Sequence, residues 1–499
     1  MKRFLLCVSF LMVAVSGLWA DVDRPRLVVG IVVDQMRWDY LYRYYDRFGD
    51  GGFKRLMDDG FSYDNCLINY VPTVTSIGHT SAYTGTTPAY HGICGNTFYV
   101  DGKRTGCVSD TTVQTVGSDT KKGQSSPHLL LATTIGDQLR LHTDFRSKVI
   151  GVSYKDRAAI LPAGRSATAA YWIDTKARCF VSSTYYMTEL PAYVKQVNDQ
   201  MAKNKELQQV GEDVSLYPLC GHLTTDMAIA AMQGEHLGQG DATDMLCVSY
   251  SQTDAIGHKW GTRGPRTDEA YLELDRDLSR LFAALDKQVG RGNYLVFLTA
   301  DHGAAHNWKF TQDHKLGGGK WLTDEMKQQA EAEVARVLGN SKPVISDILD
   351  FRVFLDHASI SSQGLDACRV KQVIVDCLSK ADHVIFAVDF SRLRTSSLPE
   401  RLMNQALMGY HPRRSGDILI IAEPSYYMYG EWSSPVGTTH GSWNPYDAHI
   451  PLLFCGWHVE HGATSREVHI NDIAPTVCQM LHIQQPNACS GEALAELAK

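Results

Sequence analysis

The sequence predicts an α/β fold: a mostly parallel central sheet with helices on both faces, plus an inserted α+β lobe. Three observations lead to this prediction. Continuous apolar, β-branched runs recur along the chain, helical patterns lie between them, and polar residues follow the runs at their carboxyl ends. Such runs are typical of strands buried on both faces. Alternation of strands and helices favours an open sheet whose ligands bind beyond the carboxyl ends of the strands.

The first twenty residues form a segment of their own. Lys2 and Arg3 give a positive start, the stretch from Phe4 to Trp19 is almost wholly apolar, and Ala20 precedes a polar sequence. This pattern predicts a secretory signal peptide over residues 1–20 with cleavage near Ala20. A membrane anchor is the alternative, but the run is shorter than the ~20 residues that a span needs. We therefore expect a periplasmic or secreted protein without a membrane span in the mature chain.

Length and composition limit the function classes. A chain of 499 residues allows one large domain with an insertion, or two or three domains. A net charge of −7 without a basic block gives no footprint for nucleic-acid binding. Export permits disulfides, and Cys94 with Cys107 and Cys478 with Cys489 are close enough in sequence to pair. The 12 cysteines show no CxxC spacing, so cysteine-based metal binding is not expected.

The strands and helices of the main domain can be placed along the chain. The predicted strands are Leu27 to Val33, Lys148 to Tyr154, Met245 to Tyr250, Tyr294 to Ala300 and Ile450 to Cys455. The predicted helices between them are Gly52 to Asp59, Leu129 to His142, Thr224 to Leu237 and Thr267 to Val289. Residues 21–320 and 431–499 are expected to form this domain.

Residues 321–430 have a different pattern. A polar helix is predicted from Asp324 to Leu338, followed by short strands that include Val384 to Val388 and Ile418 to Ala422. We interpret this part of the chain as the inserted lobe.

The stretch from Val71 to Asn96 begins with three hydroxyls and continues with small residues, which predicts a loop, a short helix from Ser76 to Thr84 and a second loop. The amino end of a helix presents free N–H groups and a positive dipole end. A hydroxyl at this position could hold an anion or attack one. Composition alone does not choose among Thr73, Thr75 and Ser76.

Aspartate and histidine residues collect at the predicted strand ends. Asp254 and His258 are four residues apart, so a helical turn would place them on one face. The full set is Asp34, Asp254, His258, Asp301, His302 and His440. Carboxylates and neutral imidazoles suit zinc, with manganese as the main competitor. Six such ligands and a hydroxyl indicate two metal ions, which can hold the attacking and leaving oxygens of a phosphoryl displacement.

Two basic residues follow the strand from Lys148 to Tyr154. On an extended chain, Lys155 and Arg157 would share one face. Arginine offers a planar fork to two phosphate oxygens and lysine a compact charge. The alternative is a solvated strand end, but the apolar strand before them would deliver both residues to the ligand edge of the sheet.

These residues lie in segments that resemble the alkaline phosphatase superfamily. The closer resemblance is to periplasmic phosphate-irrepressible alkaline phosphatases with a threonine nucleophile, whose fold is like that of type I phosphodiesterases and nucleotide pyrophosphatases. The segments, in chain order, are PTVTSIGHTSAYTGTTPAYHGICGN, KDRAAILPAGR, TDAIGHKWG, TADHG and TTHGSWNPYDAHIPL. They span most of the chain outside the lobe. The sulfatase branch needs a CxPxR or SxPxR motif near the position of Thr75, and neither is present in that stretch.

The resemblance implies a role for each matched residue. Thr75 would be the nucleophile and a ligand to one zinc, and this choice rests on the family's spacing to Asn96. The other implied roles are Asp34, Asp301 and His302 on the same zinc, Asp254, His258 and His440 on a second zinc, and Asn96, Lys155 and Arg157 on the non-bridging phosphate oxygens. His79 and His91 are expected to serve packing.

We therefore expect a zinc-dependent phosphomonoesterase with two Zn²⁺ per chain. It would act as a monomer on small-molecule phosphate monoesters through a phosphothreonine. The main alternative is a phosphodiesterase or nucleotide pyrophosphatase of the same superfamily. A metal-dependent phosphoglycerate mutase is less favoured because export removes its substrate. A non-catalytic metal-binding surface protein is the alternative from a different class.

Overall fold

The computed structural model describes residues 23–210, 214–216, 219–430 and 433–497, so the predicted signal peptide lies outside the described residues. The described strands, in chain order, are β1 (Leu27–Val33), β2 (Phe61–Tyr63), β3 (Cys66–Leu67), β4 (Thr97–Val100), β5 (Lys103–Gly106), β6 (Thr115–Val116), β7 (Val149–Ser153), β8 (Ala169–Asp174), β9 (Cys179–Ser183), β10 (Asp244–Tyr250), β11 (Tyr294–Thr299), β12 (Gly319–Leu322), β13 (Ile345–Leu349), β14 (Arg352–Leu355), β15 (Val384–Asp389), β16 (Ile418–Ala422), β17 (Tyr426–Tyr429), β18 (His449–Ile450), β19 (Leu452–Gly456), β20 (Gly462–Thr464) and β21 (Val468–His469).

The helices alternate with these strands. In chain order they are α1 (Asp39–Arg43), α2 (Phe53–Asp59), α3 (Thr75–Thr84), α4 (Pro88–His91), α5 (Ile135–His142), α6 (Asp156–Ala163), α7 (Ala192–Lys203), α8 (Lys205–Gln209), α9 (Leu219–Gly234), α10 (Gln252–Trp260), α11 (Pro265–Gln288), α12 (Trp308–Asp313), α13 (Thr323–Leu338), α14 (His357–Ser362), α15 (Ala367–Leu378), α16 (Glu400–Gly409), α17 (Pro445–Ala448) and α18 (Ile473–Met480).

A ten-stranded sheet organises the described part of the chain. Its order is β20-β2-β19-β11-β1-β10-β7-β8-β9-β6. The five central strands, β11-β1-β10-β7-β8, run parallel to one another, whereas β19 and β9 join this block antiparallel. All seven residues of β1 are buried, and because successive side chains point to opposite faces, both faces of the sheet are covered. The prediction of a mostly parallel α/β sheet is confirmed.

The parallel block determines where the polar residues meet. Because β1, β7, β10 and β11 run in the same direction, their carboxyl ends lie at one edge of the sheet. Asp34, Lys155, Asp254 and Asp301 all follow within four residues of those ends. The fold therefore brings together residues that are far apart in sequence, as expected for ligand sites in open α/β sheets.

Two predicted elements have different boundaries. The predicted strand from Ile450 to Cys455 is divided at Pro451, which has no N–H to donate. Its first part, β18, pairs with β3, and its second part, β19, pairs with β11. The predicted helix from Leu129 begins only at Ile135, because Thr134 and Asp137 form a reciprocal capping box there.

Residues 319–429 contain a smaller sheet with a core of its own. Strands β13-β14-β16-β15 form a four-stranded antiparallel sheet, and β12 pairs with β17 beside it. Buried residues of this core include Val353, Ile374 and Ile420. We refer to this part of the structure as the lobe; its exact limits at residues 321 and 430 stay a prediction.

Two further findings concern the cysteines and the membrane. The structure has free thiols at all four cysteines considered for pairing. Cys94 is therefore not bonded to Cys107, and Cys478 is not bonded to Cys489. Within the described ranges, no helix has both the length and the apolar character needed to cross a bilayer.

Candidate active site

Thr75 is the first residue of α3, one position earlier than the sequence predicted. The preceding Val74 is extended, with φ −133° and ψ 156°. The Thr75 side chain is buried, and its Oγ1 lies 3.5 Å from Nε2 of His302. The hydroxyl of Thr73 instead donates to the carbonyl of Ser442 at 2.9 Å. Of the two threonines, Thr75 is therefore the one that faces a predicted metal ligand.

Asn96 is held at the same helix end. The backbone N–H of Ser76 donates to Oδ1 of Asn96 at 3.1 Å. This bond satisfies one of the free N–H groups at the start of α3. Since Oδ1 is the acceptor, the amide nitrogen of Asn96 is left to donate to another group. The structure thus brings Thr75 and Asn96 together, as the sequence predicted for an anion site.

Lys155 lies between two carboxylates of the site. Its Nζ is 2.7 Å from Oδ2 of Asp34 and 2.6 Å from Oδ2 of Asp254. Burial alone would lower the pKa of Lys155, but the two carboxylates outweigh it and raise the pKa. The ammonium is therefore charged, and it links residues that follow two neighbouring strands, β1 and β10.

The predicted metal ligands form two groups that share Asp254. In the first group, Nε2 of His258 and Nε2 of His440 lie 3.1 Å and 3.6 Å from Oδ1 of Asp254. The second group consists of Asp34, Asp254 and His302. Within each group, one potential ligand atom per residue lies within 4.8 Å of the others. The helical turn that was predicted to place Asp254 and His258 on one face is α10.

Asp301 lies beside the second group. Its Oδ2 is 3.6 Å from Nε2 of His302, and its Oδ1 accepts from the backbone N–H of Gln35 at 3.1 Å. The family resemblance implied that Asp301 binds one metal and Asp254 the other. Asp254 instead belongs to both groups, so the division of these two carboxylates between metals stays a prediction.

Backbone carbonyls orient the three histidines. The Nδ1 atoms of His258, His302 and His440 lie 2.9, 2.9 and 2.7 Å from the carbonyl oxygens of Thr438, Gly303 and Thr73, respectively. A carbonyl only accepts, so in each ring Nδ1–H is the donor. Nε2 is thereby directed at the carboxylates, which is the arrangement that metal-binding histidines adopt. A sequence does not reveal such carbonyl partners.

The charges of the site also fit a cation. Burial, together with Asp254 and Asp301, raises the pKa of Asp34 well above its usual value. Burial lowers the pKa of His440 well below its usual value, with His302 adding to the effect, so this imidazole is neutral. Among the described residues, Oδ1 of Asp34 and Oδ2 of Asp301 are buried without a hydrogen-bond partner. A buried carboxylate of this kind stays ionised only beside positive charge, which a metal ion would supply.

His79 packs behind the catalytic threonine candidate, consistent with the structural role that the sequence predicted. The ring is fully buried, with Nδ1 2.8 Å from the carbonyl of Thr75 and Nε2 2.7 Å from the hydroxyl of Ser249. Nδ1 also lies 3.2 Å from Oδ2 of Asp301, although it donates to Thr75. His79 therefore connects the first turn of α3 with the end of β10 and lies beside the residue that follows β11.

Gly78 allows α3 to approach the residue that follows β11. A Cβ atom at this position would lie 2.1 Å from the carbonyl oxygen and 2.5 Å from Cα of Asp301. Both are backbone atoms, so the helix and the strand end would have to separate. A glycine in this helix therefore determines how close Thr75 comes to Asp301 and His302.

We expect Gly78→Ala to lower the free energy of unfolding by about 1–3 kcal/mol, the usual cost of overpacking. It should also lower kcat, because it separates α3 from the predicted metal ligands Asp301 and His302. Gly240→Ala is the control, since a Cβ there meets no atom within 4 Å. Urea unfolding and kinetics on the two variants test this; equal stability and activity would show that α3 is not held by this contact.

Gln35 is a site residue that sequence reasoning missed. It follows Asp34 directly, and its Nε2 donates to Oδ1 of Asp254 at 2.6 Å. Its φ is 64°, a left-handed conformation that is uncommon for a residue other than glycine. In the sequence, only its position after Asp34 could have marked Gln35 as a site residue. Neither its backbone conformation nor its contact with Asp254, which links the ends of β1 and β10, is visible there.

The predicted extended conformation holds for Lys155, with φ −86° and ψ 134°, but is wrong for Arg157. Lys155 precedes α6, and Arg157 is the second residue of that helix. The two residues therefore do not share a face of a strand. Arg157 remains near the carboxylates: burial alone would lower its pKa, but Asp156, and more weakly Asp34 and Asp254, raise it. A helix that begins directly after β7 places both cations at the ligand edge.

A cavity opens over the first metal group. Its volume is about 520 Å³, and it lies between the main domain and the lobe. The main domain contributes Val74, Asn96, His258, Thr439 and His440 to its lining. This size is typical of sites for small-molecule ligands.

Comparison with known proteins identifies the family of the chain. A family model described as type I phosphodiesterase / nucleotide pyrophosphatase matches residues 28–443. The chain belongs to this family. The predicted resemblance is thereby confirmed, because the family is part of the alkaline phosphatase superfamily.

Several curated proteins are similar in sequence to this chain along nearly its whole length. Alkaline phosphatase PhoV of Synechococcus elongatus is 40% identical, and the match covers 100% of both chains. Alkaline phosphatase PafA of Elizabethkingia meningoseptica is 41% identical over 95% of both chains. A protein of Myroides odoratus that is named a calcium-transporting ATPase is likewise 41% identical over 95% of both chains.

Solved structures of PafA match the fold of this family member. The wild-type structure has a TM-score of 0.91 at 40% identity and covers 96% of this chain and 100% of its own. A PafA variant with substitutions of one threonine, one asparagine, one lysine and one arginine has a TM-score of 0.90 at 40% identity, with 95% and 99% covered.

Proposed function

We propose that this chain is an alkaline phosphatase that hydrolyses phosphate monoesters and uses Thr75 as its nucleophile. One observation carries the proposal. The buried hydroxyl of Thr75, at the amino end of α3, lies beside two aspartate–histidine groups that share Asp254. Similarity to PhoV and PafA over nearly the whole chain supports the reaction class. The residue types substituted in the PafA variant occur here in the same order, as Thr75, Asn96, Lys155 and Arg157.

Two Zn²⁺ ions per chain suit the donor set. His258, His440 and Asp254 would hold one, and His302, Asp34, Asp301 and Thr75 the other, because neutral imidazoles and buried carboxylates are ligands that zinc accepts. Bound zinc would lower the pKa of a coordinated hydroxyl and stabilise negative charge on oxygen. The pairing of Lys155 with both Asp34 and Asp254 shows how strongly these carboxylates require positive charge.

The residues of the chain perform the transfer as follows. Oγ1 of Thr75 forms a bond to phosphorus while the bond to the ester oxygen breaks, and the alcohol leaves with a proton. Water then attacks the phosphothreonine, releasing phosphate and restoring the Thr75 hydroxyl. Asn96 and the cations Lys155 and Arg157 hold the non-bridging oxygens, where charge must be balanced.

The number of charged oxygens distinguishes a monoester from a diester. A monoester carries about two negative charges near neutral pH, whereas a diester carries one and has a second substituent. We expect Arg157→Ala to lower kcat/KM for a monoester by about a hundredfold and for a diester much less. Arg291→Ala, at an exposed site away from the cavity, is the control. Equal losses on both ester types would contradict charge recognition by Arg157.

A substrate panel tests the proposed function. Zinc-loaded protein should release phosphate from p-nitrophenyl phosphate much faster than it cleaves the bis ester. The reverse order would favour the phosphodiesterase alternative that the family description allows. ATP belongs in the panel because one relative is named an ATPase; a strict requirement for ATP would contradict a general monoesterase. No release from any ester, with both metals bound, would favour a non-catalytic binding protein.

We also propose that the protein is exported and acts as a monomer on small esters. The sequence of residues 1–20 supports export. Determination of the amino terminus of the mature protein tests this proposal, with cleavage near Ala20 as the expected result. Retention of residues 1–20 in the isolated protein would contradict it.

A further inference from the structure

The lobe forms the wall of the active-site cavity opposite the metal groups. Thr323 and Asp324 line it from the start of α13, residues 347–350 line it from the end of β13 and the following turn, and Met428 and Gly430 complete the wall. Asn96, His258 and His440 line the same space from the main domain. Any group attached to a phosphoryl bound near Thr75 therefore meets this wall.

In-line attack determines which part of the substrate faces the lobe. The leaving oxygen lies on the side of phosphorus opposite the nucleophile. Thr75 is buried at the floor of the site, so the leaving alcohol points outward, into the cavity. The lobe wall therefore contacts the alcohol part of the ester rather than the phosphoryl group.

The charged side chains of this wall are acidic. They are Asp324, Asp347 and Asp350, and the described residues that line the cavity include no lysine or arginine. Asp347 pairs with the exposed Arg104 at 3.0 Å, and Asp350 pairs with the buried Arg352 at 3.0 Å. Among the residues with described placement, Asp324 has no ion-pair partner. Its side chain is exposed, so the wall carries an uncompensated negative charge.

We propose that this wall selects phosphate monoesters whose alcohol is cationic, such as phosphorylated amino alcohols, over those whose alcohol is neutral or anionic. The inference rests on the proposed monoesterase function. Opposite charges that share a cavity attract each other, and because Asp324 is exposed, water and salt partly screen this attraction. An anionic alcohol is repelled by the same carboxylate. Asp324 is the specificity-determining residue.

A pair of substrates of the same shape isolates the effect of charge. Phosphocholine and 3,3-dimethylbutyl phosphate differ in that a quaternary nitrogen replaces a quaternary carbon. We expect kcat/KM for phosphocholine to exceed that for the neutral analogue by about threefold to tenfold, and the ratio to fall as ionic strength rises. Phosphoglycolate, with an anionic alcohol part, should be the poorest of the three.

Two variants assign the effect to Asp324. Asp324→Asn should reduce the phosphocholine preference to near one, because it lowers kcat/KM for phosphocholine more than kcat/KM for the neutral analogue. Glu325→Gln is the matched control, since Glu325 is exposed in the same helical turn but does not line the cavity, and it should keep the wild-type ratio. Equal rates for the two esters in the wild-type enzyme, or a preference that survives Asp324→Asn, would overturn the inference.

The experiment separates failure of this inference from failure of the proposed function. Hydrolysis of p-nitrophenyl phosphate is measured alongside for each protein. If that ester is hydrolysed but the cationic preference is absent, the selectivity inference alone is overturned. If the wild-type enzyme, loaded with zinc, hydrolyses no monoester, the proposed function is overturned and the inference with it.

Discussion

Thr75→Ala is expected to lower kcat for phosphate monoesters by at least about a thousandfold, equivalent to about 4 kcal/mol of transition-state stabilisation. In the proposed mechanism, the variant removes the atom that forms the covalent bond to phosphorus. The side chain is buried at the start of α3, and alanine is a good helix former. The loss should therefore appear in kcat rather than in the free energy of unfolding, which urea titration would measure alongside steady-state kinetics.

Two variants serve as controls for Thr75. Thr75→Ser keeps a hydroxyl at the same position and should retain much of the activity. Thr73→Ala removes the hydroxyl that donates to the carbonyl of Ser442, so it should affect the loop that carries His440 more than the bond-forming step. Near-wild-type turnover by Thr75→Ala would exclude Thr75 as the nucleophile.

Removal of the metals is expected to lower activity about as much as Thr75→Ala does. Chelation should lower kcat by at least about a thousandfold, and added zinc should restore it, because the charge on the attacking and leaving oxygens would otherwise be unbalanced. Elemental analysis of the active protein should find two zinc ions per chain. Full activity in excess chelator, in protein without detectable metal, would contradict the two-metal account.

Asp254→Asn should have the largest effect of any ligand substitution on metal content. Asp254 is the carboxylate that both groups share, and it also accepts hydrogen bonds from Lys155 and Gln35. We expect the variant to bind fewer than two zinc ions per chain and to lose activity accordingly. The control is Asp241→Asn, at an exposed site just before the same strand. A variant that keeps both metals would show that Asp254 is not a shared ligand.

The sequence predicted those features of the fold that depend on local pattern. Buried parallel strands have continuous apolar runs, so β1, β10 and β11 were placed within one residue of their observed limits. The sequence also identified the polar residues that follow these strands, because ligand sites in open sheets lie there. The choice of Thr75 over Thr73 and Ser76 as the reacting hydroxyl came from the family resemblance. In the structure, Thr75 faces His302 while Thr73 is bonded elsewhere.

Features that depend on long-range contacts could not be predicted in this way. The sharing of Asp254 between two groups arises because β1 and β10 are neighbours in the sheet. The close approach that Gly78 permits depends on packing between α3 and Asp301. The start of α6 was missed because the prediction kept the chain extended from Lys155 to Arg157, beyond the predicted strand, although the chain turns into a helix at Asp156. The capping box before α5 was a local signal that could have been used.

The most direct test of the central claim is detection of the phosphothreonine. Zinc-loaded enzyme is mixed with a phosphate monoester, quenched in acid during turnover, digested and examined by mass spectrometry. We expect one added phosphoryl group on the peptide that contains residues 71–96, located at Thr75 and absent from Thr75→Ala. Two results would contradict the account. One is a phosphoryl group located on Thr73 or Ser76. The other is rapid turnover with no phosphopeptide, together with oxygen-isotope labelling and stereochemistry at phosphorus that indicate a single direct displacement by water.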